Sequence, residues 1–128
     1  MVNKQVAVFL GDDASPEVMR PTVDLLRAMD LDIDFVEPVV GQAAKQATGT
    51  LFPDTAKAQI DAADAAFFGS TSGDSTPVLF YLRWGKQTYA NLRPCIYTPG
   101  FNSPLAQPAG IDFAIVRENL EDLYLGLE

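Results

Sequence analysis

Short apolar runs alternate along this chain with polar stretches that begin at or beside glycine, a punctuation that predicts repeated strand, loop and helix. QVAVFLG is apolar from Val6 to Leu10 and ends at Gly11, which predicts a buried strand of the parallel type over residues 5–10. In DDASPEVMRPTVDLLRAMD, Ser15 suits an N-cap and Pro16 the first helical position. Val18, Val23, Leu25, Leu26 and Met29 there recur on an approximately helical face. Pro21, within the first turns, predicts a kink or a delayed start. LDIDFVEP then alternates apolar and acidic residues, the period of a strand with a wet face or an edge position. These pieces make one βαβ unit.

GQAAKQATGT has no strong period and reads as a surface loop with a helical turn. FPDTAKAQIDAAD starts a helix near Asp54, with Ala56, Ile60 and Ala63 on a shared face. AAFFGS repeats the first motif, a buried strand over 65–69 running into glycine. Both glycine loops therefore fall at the carboxyl ends of strands, where ligands of α/β sheets usually sit. After TSGDSTP, VLFYLRWGKQTY reads as a helix weakened in its middle by Gly85. ANLRPCIYTPG is extended, and Pro94 and Pro99 favour an edge. FNSPLAQPAG is turn-rich, and IDFAIVREN opens as a buried strand over 111–116 that turns polar at Arg117. The expectation is an α/β fold with a mainly parallel sheet and flanking helices, built as a single domain over residues 1–128, a size adequate for one core.

Composition narrows the function. With 17 Asp and Glu against 9 Lys and Arg, the net charge of -8 repels nucleic acid and anionic membrane surfaces, so neither is an expected partner. Cys95 is the single cysteine, which rules out an intrachain disulfide and points to a reducing compartment. No histidine is present, which removes the usual general base and every Ser-His or Cys-His pair. The N-terminal apolar run is too short for a signal peptide or a membrane span, and the expected location is the cytoplasm.

Acid, base and binding chemistry must then come from Tyr, Lys, Arg and carboxylates. The turn GDDASPEV offers backbone N–H groups to an anion, but Asp12 and Asp13 oppose a phosphate there, and an ordinary βα turn explains it as well. Arg83, Arg93 and Arg117 each end an apolar element instead of lying in a solvated charge run. Converging, they would make a fork-shaped site for carboxylates; separately, each would pair with a nearby surface acid, as Arg117 with Glu118 or Glu121. Tyr124 is a hydrogen-bond donor or acid if it faces the same cleft, and a packing residue if it does not.

YANLRP, IDFAIVREN and EDLYLG together resemble the isocitrate and isopropylmalate dehydrogenase family, the metal-dependent decarboxylating dehydrogenases of 2-hydroxy acids. The order of VAVFLGDDASPEV, LDIDFVE, AADAAFFG, LR, YANLRP, SPL, IDFAIVREN and LYLG fits as well, so the resemblance runs from about residue 5 onward. It implies a fold like the N-terminal half of that family. It also implies that Arg83, Arg93 and Arg117 bind substrate carboxylates and that Tyr124 takes part in proton transfer, with Asn91 either a turn residue or a ligand contact.

Departures from the family pattern are informative. Where the family opens with a sequence like GDGIGPEV, this chain has Asp13 and Ser15, adding charge and removing backbone freedom at the cofactor loop. Pro77 and Leu79 stand where members acting on isocitrate commonly carry Ser and Asn. Family members exceed twice this length, and the part expected to be missing carries the catalytic Lys, the Mg²⁺ or Mn²⁺ ligands and the NAD or NADP adenosine loop. Asp12, Asp13, Asp112 and Asp122 do not replace that metal site. Two functions compete: a truncated or split dehydrogenase part that works with a complementary chain, and a non-catalytic module that binds di- or tricarboxylates or regulates a full-length enzyme. Exposed strand edges in so short a chain predict a homo-oligomer or a partner.

Overall fold

The structure, a computed structural model, describes residues 3–121. Those residues fall into two compact units, one ending at Phe80 and the other beginning at Tyr81.

The first unit is a three-stranded parallel sheet with helices. Strand β1 (Lys4–Phe9) lies in the centre, with β2 (Ile33–Val36) on one side and β3 (Ala65–Phe68) on the other. Val6 is in register with Phe35 of β2 and with Ala65 of β3. The central position explains the continuous apolar run of β1, because such a strand is covered on both faces. Val6, Val8 and Leu10 pack with Met19 and Val23 of helix α1 (Ser15–Ala28) and with Phe35 and Phe67 of the flanking strands. On the alternate face, Ala7 and Phe9 are buried and the Phe9 ring meets Phe68 with centroids 5.8 Å apart. Helix α3 (Asp54–Ala62) packs against β1 through an apolar side that buries Ala56 and Ile60.

Helix α1 runs through Pro21 without interruption. Its buried residues, Met19 and Val23, lie one helical turn apart, whereas Val18, Leu25 and Met29 of the expected apolar face are exposed. Ser15 does not cap the helix: the N-cap is Ala14, and the Ser15 hydroxyl instead accepts a hydrogen bond from the Ser70 backbone N–H at 3.0 Å. The stretch expected to be mostly loop forms helix α2 (Gly41–Thr48), which Gly49 ends in the left-handed conformation.

Helix α4 (Thr76–Phe80) is followed directly by a π-helical turn over Tyr81–Gly85, with which the second unit begins. The amides of Lys86 and Thr88 donate five residues back, to the carbonyls of Tyr81 and Arg83, which defines the wider winding. Glycine is required at its end because a Cβ on Gly85 would lie 2.6 Å from Cδ2 of the Tyr81 ring. The wider winding therefore replaces the second half of the expected helix. Beyond it, strands β4 (Ala90–Ile96) and β5 (Asp112–Glu118) pair antiparallel as a two-stranded ribbon. Strand β5, expected to be buried, is exposed over Asp112–Val116, because in this unit the described residues provide only β4 beside it.

Candidate functional site

The ribbon register decides which side chains share a face. Arg93 lies opposite Ile115 and Arg117 opposite Asn91. Residues opposed across an antiparallel pair point to the same side, and so do residues two apart along a strand. Asn91, Arg93 and Arg117 therefore occupy one face, the two arginines on a diagonal of about 7–8 Å with their Cβ atoms somewhat closer. That spacing lets two guanidinium groups reach the same polyanion. The Arg93 Nε–H donates to Asn91 Oδ1 at 3.4 Å, so Asn91 is a neighbour that steadies an arginine as well as a residue of the motif. Arg93 is exposed and Arg117 half-buried.

Arg83 sits on a different element, the π-helical turn. It is half-buried, and its Nε is buried without a hydrogen-bond partner among the described residues. A buried guanidinium N–H that meets no acceptor is costly, and an anionic ligand is one group able to satisfy it. The ribbon thus brings two of the three expected arginines together and leaves the third on a neighbouring stretch of the same unit. Tyr124 lies outside the described residues.

The first unit carries a separate polar centre at the carboxyl ends of β1 and β3, where the chain order switches direction across the sheet. There the Asp12 carboxylate reaches across to the loop after β3. It accepts hydrogen bonds from the hydroxyls of Thr71 and Ser75, at 2.8 and 2.7 Å, and from the backbone N–H groups of Ser72, Gly73 and Ser75 at 3.0–3.2 Å. Burial raises the Asp12 pKa, but the donors of Ser75, Thr71 and Gly73 together outweigh it and hold the value at about 2. Asp13 accepts from the Ser72 hydroxyl beside it. Gly11, at φ +79°, lets the two loops meet: a Cβ there would stand 2.2 Å from the Ser70 carbonyl oxygen, which accepts from the Asp12 N–H at 2.9 Å.

A cleft of about 410 Å³ opens beside this centre, lined by Leu10, Gly11, Asp12, Arg20, Glu37 and Ser75 among others. Its volume suits a small molecule. The backbone N–H groups of Ser72, Gly73 and Ser75 in the loop after β3 donate to Asp12, so those donors are engaged within the protein. Among the described residues no group of three His, Cys, Asp or Glu side chains is placed to hold a metal ion, and no helix is long and apolar enough to cross a membrane. In the sequence Asp12 stands as a charge opposing phosphate and as an acid that does not rebuild the metal site; the signal for its actual place is the facing pair of polar loops GDD and TSGDS.

Comparison with known proteins supplies the wider setting. The family described as isocitrate/isopropylmalate dehydrogenase matches residues 5–128. The 3-isopropylmalate dehydrogenase of Methanothermobacter thermautotrophicus is 38% identical over the whole of this chain and 38% of its own length. That of Mycobacterium avium is 36% identical over 95% of this chain and 38% of its own. Among solved structures, isocitrate dehydrogenase from Methylococcus capsulatus superposes with a TM-score of 0.80 at 27% identity, covering 97% of this chain and 37% of that one. A β-decarboxylating dehydrogenase from Thermococcus kodakarensis gives 0.68 at 28% identity, over 92% and 34%. The chain thus spans a little over a third of the length of the relatives it matches, and its α/β fold, a parallel sheet with flanking helices, is the corresponding part of theirs. On the extent of the match and the agreement of fold, the chain belongs to the isocitrate/isopropylmalate dehydrogenase family.

Proposed function

We propose that the arginine-bearing face of the β4–β5 ribbon recognises a di- or tricarboxylate of the 2-hydroxy acid class. The observation that supports this reading is the register that sets Arg93 and Arg117 diagonally on one face with Asn91 between them. Guanidinium forks suit carboxylates because two parallel N–H donors match two oxygens. Arg83, with its unsatisfied Nε, is the third donor in this reading. The chain as it stands is then the carboxylate-binding part of a decarboxylating dehydrogenase. NAD(P)-dependent oxidative decarboxylation requires in addition the length of polypeptide that the relatives have and this chain does not span. We assign to that polypeptide the NAD or NADP phosphates and the Mg²⁺ or Mn²⁺. Tyr124 is the proposed proton-transfer group, and the cytoplasm the proposed compartment.

Isothermal titration calorimetry tests the binding step directly. Isopropylmalate, isocitrate, homoisocitrate and tartrate are titrated in turn, with lactate as a monocarboxylate control. The expected result is heat with at least one di- or tricarboxylate and little with lactate. A charge-assisted hydrogen bond is worth about 1.5–3 kcal/mol, so Arg93→Ala should weaken binding roughly tenfold to a hundredfold. Absence of heat with all four acids, or unchanged affinity in Arg93→Ala, would overturn the reading. Binding that persists while no mixture with a complementary dehydrogenase polypeptide reduces NAD(P) in the presence of Mg²⁺ would assign the chain to a non-catalytic carboxylate-binding role.

A further inference from the structure

Thr88 stands between the π-helical turn that carries Arg83 and the strand β4 that carries Arg93. Its backbone N–H donates to the Arg83 carbonyl at 2.9 Å, and its hydroxyl donates to the Leu82 carbonyl at 3.0 Å and reaches the Arg83 carbonyl at 3.5 Å. The hydroxyl is needed because the backbone ladder breaks step here. The Lys86 amide donates five residues back to Tyr81, but the next amide, that of Gln87, turns to Trp84 three residues back. A continued π ladder would give that amide to Leu82, whose carbonyl takes the Thr88 hydroxyl instead. Gln87 has φ +52°, a left-handed backbone that residues with side chains disfavour. Such a conformation persists only where its surroundings over-determine it, and the bonds from Thr88 fix the chain on the far side of Gln87.

On its other side Thr88 runs straight into the ribbon. The Tyr89 carbonyl accepts the Asn119 N–H at 2.9 Å, and Ala90, the first residue of β4, lies opposite Glu118 of β5. Arg117 is the next residue along β5. The turn and the ribbon therefore meet with no free length of loop between them, and the place of Arg83 relative to Arg93 and Arg117 is set at Thr88. The Arg83 side chain does not set it through its Nε, which is buried and meets no acceptor among the described residues. Its guanidinium is aimed by the main chain beneath it.

We infer that Thr88 is a positioning residue for carboxylate recognition: through the carbonyls of Leu82 and Arg83 it fixes the turn that presents Arg83 to the same ligand as Arg93 and Arg117. This rests on the carboxylate reading above and adds to it the group that makes three arginines one site. Guanidinium–carboxylate pairs depend on geometry as well as charge, so a loosened turn weakens them without removing any contact to the ligand. Single π-helical turns recur at functional sites, and here the winding is held by a side chain outside it.

The test compares Thr88→Val, which keeps the shape and loses the hydroxyl, with Thr88→Ser, which keeps the hydroxyl. Calorimetry with isopropylmalate, isocitrate, homoisocitrate and tartrate gives the affinity of each variant, of Arg83→Ala and of the double variant Arg83→Ala, Thr88→Val. Loss of one net hydrogen bond predicts roughly threefold to tenfold weaker binding in Thr88→Val, restored in Thr88→Ser. In the Arg83→Ala background Thr88→Val should have no further effect, because it acts through that side chain. An equal loss in both backgrounds would overturn the inference, as would wild-type affinity in Thr88→Val. Wild-type affinity in Arg83→Ala would remove the third donor and the inference with it, leaving the reading on Arg93 intact. Phenylglyoxal, a dicarbonyl that labels guanidinium groups, separates the two readings without a ligand, the labelled arginines being identified by peptide mass spectrometry. Arg83 should label several times faster in Thr88→Val than in the wild type, with the Arg93 rate unchanged. That outcome with no heat from any acid would overturn the carboxylate reading and leave the hold on Arg83 standing. Equal Arg83 rates would overturn the hold itself, whatever the heat.

Discussion

Asp12 shows how one side chain settles what a loop can do. Its carboxylate takes the backbone N–H groups of Ser72, Gly73 and Ser75 in the loop after β3. The bonds that achieve this depress its pKa from 3.8 to about 2. Because the folded value lies below the unfolded one, the stabilisation is fully present above about pH 4 and is lost as pH falls toward 2. With solvent screening of this partly exposed carboxylate, the loss is on the order of 1 kcal/mol. Denaturant unfolding at pH 7, 4, 3 and 2 should show this loss in the wild-type chain, while Asp12→Asn should be less stable at pH 7 and flatter across the same window. Parallel pH profiles for the two proteins would disprove the assignment. In sequence, Asp12 and Asp13 are equivalent acids after a glycine. Only the approach of residues 71–75 separates them.

Among the elements, the π-helical turn is the clearest case in which local pattern and actual winding diverge. VLFYLRWGKQTY has enough apolar residues to read as a helix, and Gly85 looks like a simple weakness. In the fold, Gly85 is the position over which the Tyr81 ring lies, and the carbonyls of Tyr81 and Arg83 receive amides five residues on. Gly85→Ala would force the ring aside and should destabilise the turn by about 1–2 kcal/mol. Trp84, the sole tryptophan, lies inside this turn and reports it, so the denaturation midpoint followed by its fluorescence should fall. An unchanged or higher midpoint would mean that the ring is free to move. Strands β1 and β3 were legible from their apolar runs and terminal glycines and β2 from its alternation, whereas the exposure of β5 and of the first residues of β3 was not. An apolar strand has the same sequence whether or not anything covers it.

Across the whole molecule, burial is uneven. The described buried apolar residues, from Ala7 to Val78, all lie in the first unit, and the ribbon contributes none. Local stability follows buried apolar contact, so native-state hydrogen exchange should find the β1 amides the slowest and the β4–β5 amides much faster. Equal protection in both units would contradict this.

The sequence by itself determined the three strands and helices α1 and α3 of the first unit, the family motifs, and Arg83, Arg93 and Arg117 as candidates. Those follow from periodicity, glycine punctuation and residue type, which are properties of neighbours along the chain. Tertiary structure decided the rest. It put Arg93 and Arg117 on one face through the register of two strands, and closed the β1 loop on that after β3 through Asp12. It left Leu92 and Val116 in water. Each of these depends on which distant segment lies alongside, and no local pattern encodes that: a strand's alternation fixes two faces, but only its partner determines what each face meets.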